Sequence, residues 1–187
     1  MDINELSLKD VEIILEKQKN YFNTQITKDI DFRIKQLKIL KQGIKKYETQ
    51  ILDALHKDLG KHKVEAYMTE VGFSYNSISE AIKNLRKWAK PKKKETPIYL
   101  MPAKSYIINE PYGSVLIIGP YNYPFQLIIE PLIGAISAGN TAVLKPSELS
   151  PNTSKVIIDM INEIFDDEYI KCVEGAVDTT TSLINSK

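Results

Sequence analysis

A lone cysteine, Cys172, has nothing in its own chain to pair with. That excludes an internal disulfide framework and fits a reducing compartment, so a cytoplasmic protein is expected. Long apolar runs are also missing. None approaches the ~20 residues that a bilayer span needs, so no membrane span is expected. The opening residues MDINELSLKD are polar and acidic, unlike a secretory signal. Neither sign of charge is in excess. The formal net charge is +1, which gives no overall pull toward nucleic acid or an anionic membrane. Histidine is scarce, and neither His56 nor His62 has an acidic or cysteine partner at zinc-ligand spacing, so no metal is assigned. No G-x-G-x-x-G fingerprint, internal repeat or low-complexity tract occurs. What remains is 187 residues, 43% hydrophobic and 26% charged, enough for a domain with a sizeable core.

The first half reads as amphipathic helices. Ser7 and Asp10 look like a helix start, with Val11, Ile14, Leu15 and Phe22 as its apolar stripe. A second helix is expected from about Ile30 to Gly60, with Leu37, Ile44, Tyr47, Ile51 and Leu55 on one face. A third pattern runs from about Val64 to Ala89, through Tyr67, Val71, Tyr75, Ile78, Ile82, Leu85 and Trp88, and Pro91 ends it. The basic run Lys90–Lys94 has two readings, a phosphate contact or a solvated linker. Without interleaved aromatic residues the linker is favoured, and no nucleic-acid partner is expected. Ser105–Glu110 is strand-like.

The informative stretch is Pro111–Glu148, PYGSVLIIGPYNYPFQLIIEPLIGAISAGNTAVLKPSE. Val115–Ile118 reads as a strand covered on both faces, ended by Gly119-Pro120. Phe125, Ile128, Ile129, Leu132, Ile133 and Ile136 then mark one helical face. Pro124 suits the first turn, Pro131 predicts a kink, and Gly139-Asn140 is a stop signal. Thr141–Leu144 is a second buried strand, so the pattern is a βαβ unit, right-handed by general preference. Asn122 lies where the first strand ends and the helix begins. Its amide could donate to a negative oxygen, helped by the helix N-terminus. Alternatively it simply caps that helix, the commoner role for such a residue. Beyond it, Ser150-Pro151 reads as N-cap and first helical residue, Ile170–Val173 as a short strand, and Cys172 as a small buried hydrophobe. Glu130 fits a helix-face role better than that of a general base.

PYNYPF followed by GAISAGNTAVLKPSE resembles the nicotinamide-dependent aldehyde dehydrogenase superfamily, and its class 3 branch in particular. The resemblance extends through DFRIKQLKIL, DLGKHKVEAYMTEVG, INEPYGSVLIIG and VEGAVDTTTSLI, in consistent order along nearly the whole chain. It implies an α/β fold: amphipathic helices (1–95) packed on a nucleotide-binding domain, a β-hairpin arm (96–112), and the first part of a Rossmann-like parallel sheet (113–187). It implies oxidation of an aldehyde substrate with NAD or NADP, in an enzyme that forms a homodimer. Asn122 would be the oxyanion-hole asparagine. Lys145 and Glu148 would bind the adenosine ribose hydroxyls, and Ile118, Gly119, Pro120 and Tyr121 would line the nicotinamide side of the cleft. In the family the cysteine nucleophile, the glutamate base and the pyrophosphate-binding helix lie beyond the matched region. The chain therefore resembles an amino-terminal part, expected to be inactive alone. The competing reading is a non-enzymatic association module.

Overall fold

The computed structural model describes residues 5–186. Helix α1 (Leu8–Asn23) opens with the expected reciprocal cap. The Asp10 amide donates to Ser7 Oγ (3.3 Å) and the Ser7 amide to Asp10 Oδ2 (3.0 Å). Helix α2 (Ile30–Leu59) starts and stops where its stripe does, at Gly60 with φ of 66°. The third helical pattern departs from expectation. Helix α3 (Lys63–Ala66) passes through a π turn (Tyr67–Val71) into α4 (Gly72–Trp88). The wider turn shifts the helical phase. Tyr67 and Trp88, both on the expected stripe, are exposed, while Glu70 and Ser74 are fully buried.

The lysine run is not a linker. Lys92–Lys94 forms strand β1, paired antiparallel with β2 (Ser105–Ile107), so the hairpin begins four residues earlier than the stretch 96–112 suggests. Side chains of an exposed hairpin need no apolar alternation, which is why the lysines hid a strand.

The parallel sheet has the order β3 (Ser114–Ile118), β4 (Thr141–Lys145), β5 (Ile170–Cys172). Every residue of β4 is buried. Strand β3 is not covered on both faces: Leu116 is 36% exposed and Ile118 42%. It has β4 along one side only, and among the described residues nothing pairs with its other edge. The outer edge of β5 is closed by a side chain, since Asn162 donates to the Cys172 carbonyl and accepts from its amide, both at 3.0 Å. Helices α1 and α7 (Val177–Asn185) cover one face through Val11, Val143, Val173 and Leu183. Helices α5 (Gln126–Ala138) and α6 (Pro151–Ile164) cover the other, backed by α2 and α4. The whole apolar stripe expected from Phe125 to Ile136 is buried. Among the described residues no helix is long and apolar enough to cross a membrane.

The helical first part fastens onto this sheet through carboxylates. Glu70 accepts from the Phe125 and Gln126 amides at the start of α5. Asp58 accepts from the Asn152 and Thr153 amides of α6. Glu5 accepts from the Ala176 and Thr179 amides of α7. Each carboxylate satisfies N–H groups that a helix start leaves without partners and meets the positive end of the helix dipole. Ser150 holds the N-cap position of α6, with Pro151 at the first helical residue as expected. The cap itself comes from Asp58, and Ser150 Oγ donates to the Ser147 carbonyl instead.

Candidate functional site

In a parallel sheet all the strand ends face one way, and the turns leaving them form one edge. Register sets Ile118 opposite Lys145. The Gly119 amide extends the pairing by donating to the Lys145 carbonyl (3.0 Å). The turns 119–123 and 146–150 therefore leave the sheet side by side, which brings all seven residues singled out by sequence to the same edge. Gly119 is required by close packing: a Cβ there would overlap Ile128 Cγ1 and Cδ1 on α5. Beyond it Pro120, Tyr121, Asn122 and Tyr123 are exposed, and Phe125 is fully buried as the plug that anchors the turn.

Of the two roles open to Asn122, capping is already filled. The Phe125 amide (2.9 Å) and the Gln126 amide (3.1 Å) both donate to Glu70 Oε2, so the start of α5 has its cap from elsewhere. The Asn122 side chain is exposed, and among the described residues it has no hydrogen-bond partner. Its amide is free to donate to a group outside the described chain. Its backbone carbonyl is held from below by Lys61 Nζ (3.2 Å), which also pairs with Glu70 and sits 4.0 Å from the centre of the Tyr123 ring.

Sequence reading missed Lys61 and Glu70. The signal was there in principle. Lys61 directly follows the glycine that stops α2, and Glu70 stands beside apolar Val71 on a helix that must bury one face. Without the π turn, though, the expected stripe places Glu70 outside it.

Lys145 is almost wholly buried, and its Nζ donates to Glu148 Oε2 at 2.6 Å. That hydrogen bond, opposed by partial burial, holds the Glu148 carboxyl below the usual carboxylate range. The pair is therefore intact at neutral pH and opens only when acidification passes that lowered value. Each residue keeps spare capacity: an ammonium has three donors and a carboxylate about four acceptor sites. Beside Glu148 lies a cleft of about 290 Å³, its apolar side formed by Pro146, Pro151, Ile158 and Val173 and its polar side by Ser154, Lys155 and Glu174. A vicinal diol needs one acceptor and one donor, and a flat ring needs apolar walls. This set of groups fits the ribose and ring of a dinucleotide.

Cys172 closes β5, and its side chain is fully buried. Burial pushes its thiol far above the usual thiol range, so no thiolate is available for attack. A thiol-specific reagent is expected to leave Cys172 unmodified in the native protein and to label it stoichiometrically once denaturant is added. Rapid native labelling would mean that the strand and α6 separate readily.

The aldehyde dehydrogenase family model matches residues 1–187. The chain is 60% identical over 167 residues to a 4,4'-diaponeurosporen-aldehyde dehydrogenase of Staphylococcus aureus, covering 89% of this chain and 36% of that protein. It is 42% identical over 166 residues to aldehyde dehydrogenase family 3 member H1 of Arabidopsis thaliana, covering 89% of this chain and 34% of that one. Among solved structures, a substrate-bound Staphylococcus aureus AldH superposes with a TM-score of 0.91 at 58% identity, over 93% of this chain and 38% of that one. The chain thus spans little more than a third of the length of the relatives it matches. With the family model matching residues 1–187 and the AldH fold superposing over 93% of the chain, the chain belongs to the aldehyde dehydrogenase family.

Proposed function

We propose that this chain supplies the oxyanion-binding amide and part of the cofactor cleft to an enzyme that oxidises aldehydes to carboxylic acids with NAD or NADP. The observation that carries this is the free amide of Asn122. It stands at the start of a helix whose N–H groups are capped from elsewhere, at the same sheet edge as the Lys145–Glu148 pair. As a nucleophile adds to an aldehyde, negative charge gathers on the carbonyl oxygen. Asn122 Nδ2 donates to that oxygen and stabilises it as it forms. Ile118, Gly119, Pro120 and Tyr121 shape the wall beside it, and Lys145 and Glu148 hold the ribose hydroxyls. Hydride acceptance is the chemistry that a bound nicotinamide would supply. In this reading the nucleophilic cysteine comes from outside these residues, because the one cysteine among them is buried in the sheet.

The test compares two proteins. The full-length enzyme is expected to reduce the nicotinamide cofactor with an aldehyde of the kind that the name of the Staphylococcus aureus relative gives, 4,4'-diaponeurosporen-aldehyde. This chain alone is expected to give no turnover. Turnover by the chain alone that Cys172→Ser abolishes would overturn the assignment.

Glu148 also bears on cofactor choice. A carboxylate beside the ribose accepts from a 2′-hydroxyl and repels a 2′-phosphate, which favours NAD. Glu148→Gln in the full-length enzyme is expected to raise the ratio of kcat/KM for NADP over NAD about tenfold, equivalent to about 1.4 kcal/mol. An unchanged ratio would remove Glu148 from cofactor selection.

Self-association belongs to the same proposal. The hairpin tip carries Ile98 (88% exposed) and Tyr99 (82%) beside half-exposed Leu100 and Met101. Such an apolar tip suits burial against a second subunit, in a cytoplasmic homodimer.

A further inference from the structure

We propose that the buried ion pair Lys61–Glu70 is a positioning device for Asn122: it holds the turn that carries the amide and keeps that amide out of the helix cap. The inference rests on the oxyanion role assigned to Asn122 above. Glu70 is fully buried on the π turn, and its two carboxyl oxygens divide the work. Oε2 accepts from the Phe125 and Gln126 amides, which fixes the start of α5. Oε1 pairs with Lys61 Nζ. Lys61 in turn donates to the Asn122 carbonyl and lies over the Tyr123 ring, so both residues of the exposed turn are tied to one cation. The turn is thus gripped on both sides of Pro124: 122 and 123 through Lys61, 125 and 126 through Glu70.

The geometry explains why both charges are buried here. Without Glu70 the first amides of α5 lose their acceptor, and Asn122, three residues before Phe125, stands at the spacing from which its residue type caps a helix. Its oxygen would turn inward to cap the helix, as this residue type readily does, and its amide would leave the site. The π turn supplies the required reach. One extra residue in the helical turn brings Glu70 to the inner face, where a regular helix would carry it past. Lys61 and Glu70 both act through the turn.

The experiment uses the full-length enzyme and removes both charges together, so that neither is stranded. Lys61→Met with Glu70→Leu takes away the amide acceptor and the cation. It is expected to lower kcat roughly tenfold or more, since misplacement of a reacting group by about 1 Å can cost 10²-fold. The KM for cofactor should stay within about twofold of wild type, because the Lys145–Glu148 turn is untouched. In an Asn122→Ala background the same pair of changes should cost less than about twofold, since the two sites act through one group. Lys61→Met with Glu70→Gln keeps an acceptor for the amides but loses the hold on residues 122 and 123, so it is expected to recover only part of the rate and to stay roughly threefold or more below wild type. Should the leucine variant fail to fold, the glutamine variant carries the same comparison, with and without Asn122, and its smaller loss should vanish in the Asn122→Ala background. Equal losses of kcat with and without Asn122, or a wild-type kcat in the pair variant, would overturn the proposal. If Asn122→Ala alone leaves kcat unchanged, the oxyanion reading falls, and hydrogen exchange decides the positioning claim by itself. Faster exchange confined to residues 121–127 in the pair variant would support it, and unchanged exchange there would overturn it.

Discussion

Asn122→Ala in the full-length enzyme is expected to lower kcat by about 10²–10³-fold, the usual loss for one oxyanion donor. The size follows from timing. The amide meets a weakly polar carbonyl in the ground state and a full negative charge after attack, so its contribution falls mostly on the transition state. The KM for aldehyde and for cofactor should therefore move little while kcat collapses. The structure adds a second readout. Because Glu70 caps α5, the Asn122 amide holds no bond within the described chain, and its removal should leave the melting temperature unchanged. A capping asparagine would behave in the opposite way, with about 1 kcal/mol of stability lost and the rate falling only as far as the fold loosened. Asn122→Asp sharpens the contrast. It keeps the shape and the capping oxygen but sets a carboxylate where an oxyanion forms, so it should be at least as inactive as alanine. A capping role would leave Asn122→Asp nearly wild type.

The parts of this site that are legible in sequence are those that depend on short range. Ser7 and Asp10 cap α1 from three residues apart, and both can be read because both partners lie in one window. The stripe from Phe125 to Ile136 and the buried run of β4 are legible because each element meets the core along its whole length. The end of α2 is legible because glycine in a left-handed conformation is a local stop. What stays hidden is set by partners far along the chain. Three helix starts are capped by carboxylates 55, 95 and 174 residues away, so sequence gives Ser150 a capping role that Asp58 performs. The exposure of Leu116 and Ile118 depends on which strands flank β3, and nothing within Val115–Ile118 encodes that. The π turn is a phase shift of one residue, invisible to a period count, and it conceals Glu70, which caps α5. Placement at the carboxyl edge of a strand is readable. The contacts under that edge are not, because they come from Lys61, between α2 and α3, and from Glu70 on the π turn.

Gly139→Ala is expected to destabilise this chain by roughly 3 kcal/mol or more, since two independent penalties meet at one Cβ. Gly139 ends α5 at φ of 89°, where its amide closes the helix by donating to the Ala135 and Ile136 carbonyls, each at 3.1 Å. A side chain in that conformation costs about 1–2 kcal/mol by itself. The added methyl would also stand 2.6 Å from Arg33 Nη2 and 2.7 Å from the Thr27 carbonyl oxygen. Arg33 cannot retreat without loss. It is buried and clasps three carbonyls, those of Thr27 (2.7 Å), Lys28 (3.0 Å) and Ser137 (3.1 Å), so it ties the start of α2 to the end of α5. Hydrogen bonds to a charged group are worth about 1.5–3 kcal/mol each, and displacing the guanidinium breaks more than one. The variant should shift the urea midpoint downward with little change in slope, as a loss of native-state stability does. Gly134 provides the opposing control. It lies inside the same helix with nothing within 4 Å of an added methyl and no positive φ, so Gly134→Ala should raise stability by up to about 1 kcal/mol. If both substitutions shift the midpoint in the same direction, the clasp of Arg33 on the α5 terminus does not hold the βαβ unit. If the signs differ, the turn from α5 into β4, and with it the register that sets Lys145 opposite Ile118, depends on a glycine that nothing else can replace.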